Sequence, residues 1–472
     1  MLNKDEFRKS AHEIVDWIAN YYENIEQYPV KSQVKPKEIF NQLPDETPLV
    51  SESMEVIMND FEKIIMPGVT HWQNPNFYAY FPANSSFPSI LGEMLTSALA
   101  LQCMKWETSP AAAELEEKVM IWLRKMIGLP ENFCGVIQDS ASTATLAAIL
   151  TSREKASAFQ INEHGFESDT IFRVYCSTET HSSVEKAVKI AGIGKKNLVK
   201  IPVDERFAMR TDLLEQAIEK DIQQGFKPVC VVAALGTTGS LAIDPLKDIA
   251  KITSKHSIWL HIDAAMAGSA LVLPEWQWMI NGIEFADSFV FNPHKWMFTN
   301  FDCSAYFLKD KQALLNTFQL VPEYLKTNVD DVVNNYSDWG VPLGRRFRAL
   351  KLWFVLRNMG LDEIRNRIRN HINLAKELGT QIETSIDFEL LLPVSLNLVC
   401  FRYVGNKTAN EEKLNQLNEQ LLQAINQTGK IYVTHTKLNG KYTIRMQIGQ
   451  TNVTKQHVDA AWTLIKNVVQ DI

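Results

Sequence analysis

None of the six cysteines (Cys103, Cys134, Cys176, Cys230, Cys303 and Cys400) stands in a CxxC pair. That argues against a zinc ribbon or a disulfide framework, and it suits reduced thiols packed as small hydrophobes; no metal is expected. No run approaches the roughly 18 apolar residues of a membrane span. The opening MLNKDEFRKSAHEIVDW is charged where a secretory leader would be apolar. A cytoplasmic protein with no membrane partner is therefore expected. Basic patches are missing too: Lys and Arg are dispersed and the net charge is −7, which speaks against nucleic acid and for small-molecule chemistry. The stretch GTTGS (236–240) lacks the lysine spacing of a P-loop, so an ATP site is disfavoured. There is no internal repeat and no low-complexity tract.

At 472 residues the chain is long for a single core, so one large domain with one or two smaller ones is expected. Residues 5–25 place Phe7, Ala11, Ile14, Val15, Ile18 and Tyr22 along one helical stripe. The Pro-bearing segments QYPVKSQVKP and QLPDETPLV then read as extended connections, so residues 1–84 form an arm. From about residue 170, the apolar runs FRVYCST, NLVKIPV, PVCVVAALGTT and IWLHIDAA alternate with helical ones such as RTDLLEQAIEKDIQQG. This predicts an α/β domain over 85–355, with a mostly parallel sheet covered on both faces. Ligands of such sheets bind beyond the carboxyl ends of the strands. Residues 356–472 read as helix, strand, helix, hairpin around LNGK and helix, a small α+β domain.

The stretch FADSFVFNPHKWMFTNFDCSAYF (285–307) sets one lysine, Lys295, among aromatic and aliphatic residues. The ordinary reading of such a lysine is that it ends a strand and reaches solvent. The chemical alternative is that it condenses with an aldehyde and becomes a covalent anchor. Its neighbours decide between them. Asp263 ends the strand of IWLHIDAAMAGSA, where an isolated Asp would simply cap a helix. QDSASTATLAAIL opens a helix with Ser140 or Ser142 as cap, leaving N–H groups suited to a phosphate. GTTGS adds hydroxyls at a strand end, and His181 in STETHSSVEKA again lies between a strand and a helix. An imine-forming lysine, an acid for a pyridinium, a phosphate-binding helix start and a ring-sized histidine are the parts a pyridoxal phosphate (PLP) site requires.

The segments EKIIMPGVTHWQNPNFYAYFP, SPAAAELE, DSASTAT, THSSVEKA, HIDAAMAGSA, ADSFVFNPHKWMFTNFDCSA and PLGRRFRALKLWFVLR resemble those of group II PLP-dependent decarboxylases. The likeness is greatest to the aromatic-L-amino-acid (tryptophan/dopa-type) enzymes, and it runs over essentially the whole chain. NPHKW with the upstream HIDAA is specific to that group; DSASTAT alone is not. The resemblance implies an aspartate-aminotransferase-type (fold type I) α/β enzyme that works as a homodimer with shared active sites, the arm wrapping its partner. It implies Lys295 as the cofactor lysine, Asp263 as partner of the pyridine nitrogen, Ala265 beneath the ring and His181 stacked on it. Ala141, Ser142, Asn292 and His294 would hold the phosphate, with Thr238 near the cofactor. Tyr324, in VPEYLKTN, matches a tyrosine on a mobile loop that reaches the partner's site and donates a proton. Trp72, Tyr80, Phe81, Pro82, Ala83, Gln102, Met104, His181, Leu343 and Gly344 correspond to substrate-pocket positions.

The expected reaction is decarboxylation of an aromatic L-amino acid to its amine. Ala83 stands where the animal enzymes usually carry threonine, and Gln102 and Met104 where they carry isoleucine and phenylalanine. The hydroxyl available to a catechol is thus missing. Gly344 leaves volume for a bicyclic indole where histidine- and tyrosine-preferring relatives tend to carry serine, which favours tryptophan or a broad aromatic preference. A methylene-sized change is worth about 1–3 kcal/mol. The rival readings are an aldehyde synthase that oxidises as it decarboxylates, a glutamate, sulfinate or histidine decarboxylase, and a catalytically silent dimer partner. His181 with Tyr324 argues against the first. No arginine at the Ala83, Gln102 and Met104 positions argues against acidic substrates, and an intact Lys295, Asp263 and His181 argue against the last.

Overall fold

The alternation of apolar and amphipathic runs folds as it reads. In the computed structural model, which describes residues 2–167, 169–320, 332–405 and 410–471, seven strands form one sheet: β1 (Cys134–Gln138), β2 (Phe172–Ser177), β3 (Leu198–Ile201), β4 (Lys227–Ala234), β5 (Trp259–Asp263), β6 (Ser288–Phe291) and β7 (Ser304–Leu308). Their order is β1-β7-β6-β5-β4-β2-β3. β3, β2, β4, β5 and β6 run parallel, and β7 is antiparallel to both its neighbours. Every residue of β5, β6 and β7 is buried, as continuous apolar strands must be when helices cover both faces. The helices Ser183–Ile190, Thr211–Gln223 and Leu246–His256 return the chain between successive parallel strands. The carboxyl ends of β2, β4, β5 and β6 therefore share one edge.

This sheet belongs to one of two compact units, Ala83–Asn373; the other comprises Met1–Pro82 with Leu374–Ile472. The arm that the sequence sets apart thus packs with the carboxyl-terminal region. Backbone bonds show why: Tyr78 N–H donates to Tyr432 O, Gln447 N–H to Tyr78 O and Val30 N–H to Gly429 O. In this second unit β8 (Phe388–Leu390), β9 (Leu398–Tyr403), β10 (Thr434–Leu438) and β11 (Lys441–Gln447) form an antiparallel sheet. The β10–β11 hairpin closes through Asn439 and Gly440, both at positive φ (49° and 79°), the two-residue turn that LNGK announces. Val399, Phe401, Ile444 and Met446 meet Leu421, Ile425 and Trp462 of two covering helices. The amino-terminal helix Lys4–Glu23 is closed by a capping box of Asn3 and Glu6, yet it buries none of its residues, and Phe7 is 64% exposed.

Helix Ala141–Ala156 lies against the centre of the large sheet. Ala144, Ala147 and Ala148 are fully buried, and their small side chains let the helix approach closely. Thr145 Oγ1 meets His261 Nε2 at 3.2 Å, and His261 Nδ1 meets Ser288 Oγ at 2.9 Å, so one histidine ties that helix to β5 and β6. Burial pulls His261 down to about 3. His294 and His371 are also held at about 3, burial being the main cause in each.

These three groups stay neutral in the folded chain while the unfolded chain protonates them below about 6.5. Their contribution to stability is thus present above that value and is lost as pH falls towards 3, each group adding up to about 1.4 kcal/mol per pH unit. Urea unfolding is expected to show a clear fall in midpoint between pH 7.5 and 5, with a shallower fall for His261→Asn. Equal pH slopes for the two proteins would contradict this account.

Candidate active site

Asp263 closes β5 and is 9% exposed, its Oδ1 accepting the Ala265 N–H at 3.1 Å. The small residues after it are dictated by packing: a Cβ on Gly268 would lie 2.5 Å from Phe291 Cβ and 3.2 Å from Ala264 Cβ. Larger side chains would push this turn off β6. Across the edge, β4 runs into the GTTGS loop. Gly236 holds φ +88°, and a Cβ there would come 2.7 Å from Ala267 Cβ, so only glycine allows the loop this close to the Asp263 turn. Thr237 Oγ1 and Ser240 Oγ, 2.9 Å apart, brace the loop around the half-buried Thr238.

Lys295 follows β6, but it lies in a helical turn, Pro293–Trp296, rather than at the strand's end. The turn is pinned at both sides. Asn292 N–H donates to Ala265 O at 3.0 Å and Lys295 N–H to Asn292 O at 2.9 Å, while Ser304 Oγ donates to Asn292 Oδ1 at 2.7 Å. His294 Nδ1 accepts the Cys303 N–H at 2.9 Å, which leaves the ring's proton on Nε2. The Lys295 ammonium lies deep enough that desolvation pulls it below the ordinary lysine range, with Asp263 opposing. His181 is likewise lowered, chiefly by burial, with Asp263 raising it and Lys295 lowering it further. The three groups, drawn from β2, β5 and β6, are within electrostatic reach of one another.

His181 Nδ1 is held from behind, 2.8 Å from Ser183 Oγ and accepting the Ser183 N–H at 3.2 Å. At helix Ala141–Ala156, Ser140 caps by accepting the Thr143 N–H at 3.2 Å. The amides of Ala141 and Ser142 are left as donors beyond the helix's own ladder.

Of the residues of this unit expected to line a substrate pocket, Gln102 and Gly344 come together. Arg345 N–H donates to Gln102 Oε1 at 2.7 Å, Cys103 N–H to Arg345 O at 3.0 Å and Ser337 N–H to Met104 O at 2.8 Å. The Cβ direction of Gly344 faces Gln102 Nε2 at 3.1 Å, so the space expected beside that glycine is bordered by a carboxamide. Leu343 is 53% exposed. The segment is anchored by a buried ion pair, Arg345 Nη2 to Glu116 Oε1 at 2.6 Å, with Arg345 Nη2 donating also to Ile137 O at 2.7 Å and Ile137 N–H to Glu116 Oε1 at 2.9 Å. Ile137 belongs to β1, which leads to Ser140. Ala83 belongs to this unit as well. Trp72, Tyr80, Phe81 and Pro82 belong to the other, where Trp72 stacks on Phe77 at 4.4 Å and Tyr80 OH meets Tyr432 OH at 3.1 Å. Tyr324 lies outside the described residues. Sequence reasoning passed over Ser183, Ser304, Glu116, Arg345 and Asn84. All but Asn84 could have been singled out, because Ser183, Glu116, Ser304 and Arg345 stand inside the THSSVEKA, SPAAAELE, ADSFVFNPHKWMFTNFDCSA and PLGRRFRALKLWFVLR segments.

The donor set suits PLP part by part. An amine biased towards its neutral form would take the aldehyde, a buried carboxylate would hold a proton on the ring nitrogen, and helix amides with an Nε2–H imidazole would meet the phosphate. The chain agrees with known proteins in the same sense. The family described as pyridoxal-dependent decarboxylase conserved domain matches residues 36–404. The chain belongs to that family. It is 42% identical to a phenylacetaldehyde synthase of Arabidopsis thaliana over 98% of this chain and 96% of that one. It is 42% identical to tyrosine decarboxylase 2 of Narcissus pseudonarcissus over 99% and 94%. The crystal structure of Catharanthus roseus tryptophan decarboxylase in complex with L-tryptophan superimposes with a TM-score of 0.94 at 37% identity, covering 100% of this chain and 99% of that one. The protein is a PLP-dependent amino-acid decarboxylase of the fold type I architecture. No helix among the described residues is long and apolar enough to cross a membrane.

Borohydride is expected to bleach the visible absorbance of the purified protein and to fix the cofactor on Lys295. Peptide mapping that found the label on another lysine would remove the site assignment made above.

Proposed function

We propose that the protein decarboxylates an aromatic L-amino acid, with a broad aromatic preference that includes tryptophan, to the amine and CO₂. The observation that carries this reading is where the arginines of PLGRRFR go. Arg345 pairs with Glu116, Arg346 with Glu93, and Arg348 with Asp302 through two bonds at 3.0 and 3.1 Å. Cations spent on internal carboxylates are not offered to a substrate's own side-chain acid, which disfavours glutamate and sulfinate substrates. The named relatives act on aromatic compounds, and that supports the same conclusion.

PLP supplies the electron sink for the pair left at Cα when CO₂ departs. The chain's part is placement and proton control. Lys295 would hold the cofactor, Asp263 would keep the ring nitrogen protonated, and the His181 ring would cover one face. Selectivity requires the Cα–carboxylate bond to stand perpendicular to the ring, so positioning carries most of the rate. Tyr324 would then deliver its phenolic proton to Cα. With that proton withheld, oxygen competes: amino acid, O₂ and water give aldehyde, CO₂, ammonia and hydrogen peroxide. The choice between amine synthesis and aldehyde synthesis thus rests on Tyr324.

One assay tests both substrate and product. Aromatic, acidic and imidazole amino acids are supplied to the protein and to Tyr324→Phe, under air and under nitrogen. The parent is expected to yield amine from the aromatic set only, and the variant mainly aldehyde under air. Glutamate as best substrate would overturn the reading of the pocket, and unchanged amine yield from the variant would show that Tyr324 is not the proton donor.

A homodimer, in a cytoplasmic setting suited to six free cysteines, is part of the same proposal. Helix Phe87–Leu99 turns Phe87, Leu91, Leu95 and Leu99 outward at 59%, 53%, 48% and 55% exposure. An apolar stripe of that regularity calls for a partner surface, and a second copy is the occupant assigned. Sedimentation is expected to show a dimer for the parent and a slower species for Leu91→Asp/Leu95→Asp; an active monomeric parent would contradict it.

A further inference from the structure

The four-residue turn that carries Lys295 is too short to be stable by itself, and its carbonyls at the carboxyl side have no partners within so short a helix. They are met from a segment 211 residues away. The Asn84 N–H donates to His294 O at 3.0 Å, and Asn84 Nδ2 donates to Lys295 O at 2.7 Å. Ser86 Oγ donates to Phe298 O at 2.7 Å, where the main chain takes a left-handed φ of 55° that a phenylalanine adopts only when held there. Ser89 Oγ bonds to Asn300 Oδ1 and accepts the Asn300 N–H at 2.8 Å.

Two features set these contacts apart from ordinary packing. Asn84, Ser86 and Ser89 are 1%, 8% and 0% exposed, so a donor removed here would leave a buried carbonyl without its partner. Ser86 is also the N-cap residue of helix Phe87–Leu99, yet its side chain makes no bond to that helix's amides. A serine at that position ordinarily accepts from its own helix. Here the hydroxyl is turned to Phe298 O instead.

We propose that Asn84, Ser86 and Ser89 are positioning residues that clamp the Lys295 turn and thereby set how tightly the protein retains PLP. The proposal rests on the reading of Lys295 as the cofactor lysine. The clamp fixes the main chain on which the amine stands and keeps the turn closed to water. A loosened turn would let the amine hydrate and hold its proton, and only a neutral amine adds to an aldehyde.

The test compares the full-length protein with Asn84→Leu, which keeps the side chain's size without its donor, and with Ser86→Ala and Ser89→Ala. PLP dissociation constants are measured by equilibrium dialysis, and the rate of PLP re-addition to stripped protein is followed by visible absorbance from pH 6 to 10. Asn84→Leu is expected to weaken PLP retention by about tenfold or more and to move the midpoint of the re-addition profile to higher pH. The serine variants should move both readings the same way by less. Wild-type retention with an unmoved pH profile in Asn84→Leu and Ser86→Ala overturns the clamp, as does weaker retention that tracks a lower melting temperature with no change in profile. Should Asn84→Leu not fold, the two serine variants decide by the same readings. Borohydride mapping on the parent separates the two claims: label away from Lys295 removes the site assignment, whereas label at Lys295 with unmoved variants overturns the clamp alone.

Discussion

Everything at the sheet's edge answers to one constraint, an amine kept where water cannot easily solvate its charge. Desolvation drives the Lys295 ammonium towards the neutral form and Asp263 pulls it back. The balance between them is what makes such a lysine useful, since a fully charged amine cannot add to a carbonyl and a stray buried charge would destabilise the fold. The architecture follows from that need. Parallel strands bring Asp263, His181 and the lysine turn to a common edge, while the antiparallel β7 returns the chain at once and closes the turn. Gly236 and Gly268 then let two loops approach at distances that a side chain would forbid.

A second economy concerns charge. The region around the lysine turn is rich in cations: Arg345, Arg346, Arg348 and the fully buried Lys351, whose Nζ lies 2.9 Å from Glu93 Oε2. Burial lowers Lys351 to about 8. Each guanidinium has a carboxylate of the chain itself, so this positive charge serves to join segments rather than to bind an anion. Where the pair is buried or largely so, as at Arg345–Glu116 and Arg348–Asp302, breaking it on one side is far costlier than omitting both partners, so these two act as fixed joints. Through Glu116 and Ile137 one joint connects the Gln102–Gly344 segment to β1, and β1 leads to the helix start at Ala141. Segments expected to touch substrate and phosphate are therefore fastened to the same strand.

Much of this is legible in the sequence, and the limits of legibility have a physical cause. Continuous apolar runs announce β4 and β5, because burial on both faces leaves no alternation to misread. The LNGK hairpin was readable because a two-residue turn demands positive φ at both positions. Lys295 was read at a strand end, whereas it occupies a helical turn; NPHKW carries a proline at the first position of that turn, the signal that distinguishes the two. What composition and periodicity could not disclose are bonds between distant segments. Asn84 meets Lys295 across 211 residues and Arg345 meets Glu116 across 229. No local pattern encodes such partners, and a lone Asn in FPANSSF has no periodicity to betray it. The arm's place beside β11 was hidden for the same reason, since it is set by a few backbone bonds to Tyr432 and Gln447.

Gly344 shows how a local inference changes once its neighbour is known. A glycine removes a side chain, and taken alone it reads as added volume for a wide ring. In the fold, the direction its Cβ would take points at Gln102 Nε2, 3.1 Å away, and the Gln102 carboxamide is fixed because its Oε1 accepts the Arg345 N–H. That bond also settles which end of the amide is which. The two positions therefore cannot vary independently: a serine at 344 would press on Gln102, while a smaller residue at 102 would open the space that the glycine seems to promise. An amide NH₂ is a donor only, so any polar preference it imposed would favour a ring substituent able to accept a hydrogen bond, and an indole N–H cannot do so. Gln102 and Gly344 thus form one coupled pair, and the effect of changing both is not expected to be the sum of two separate substitutions.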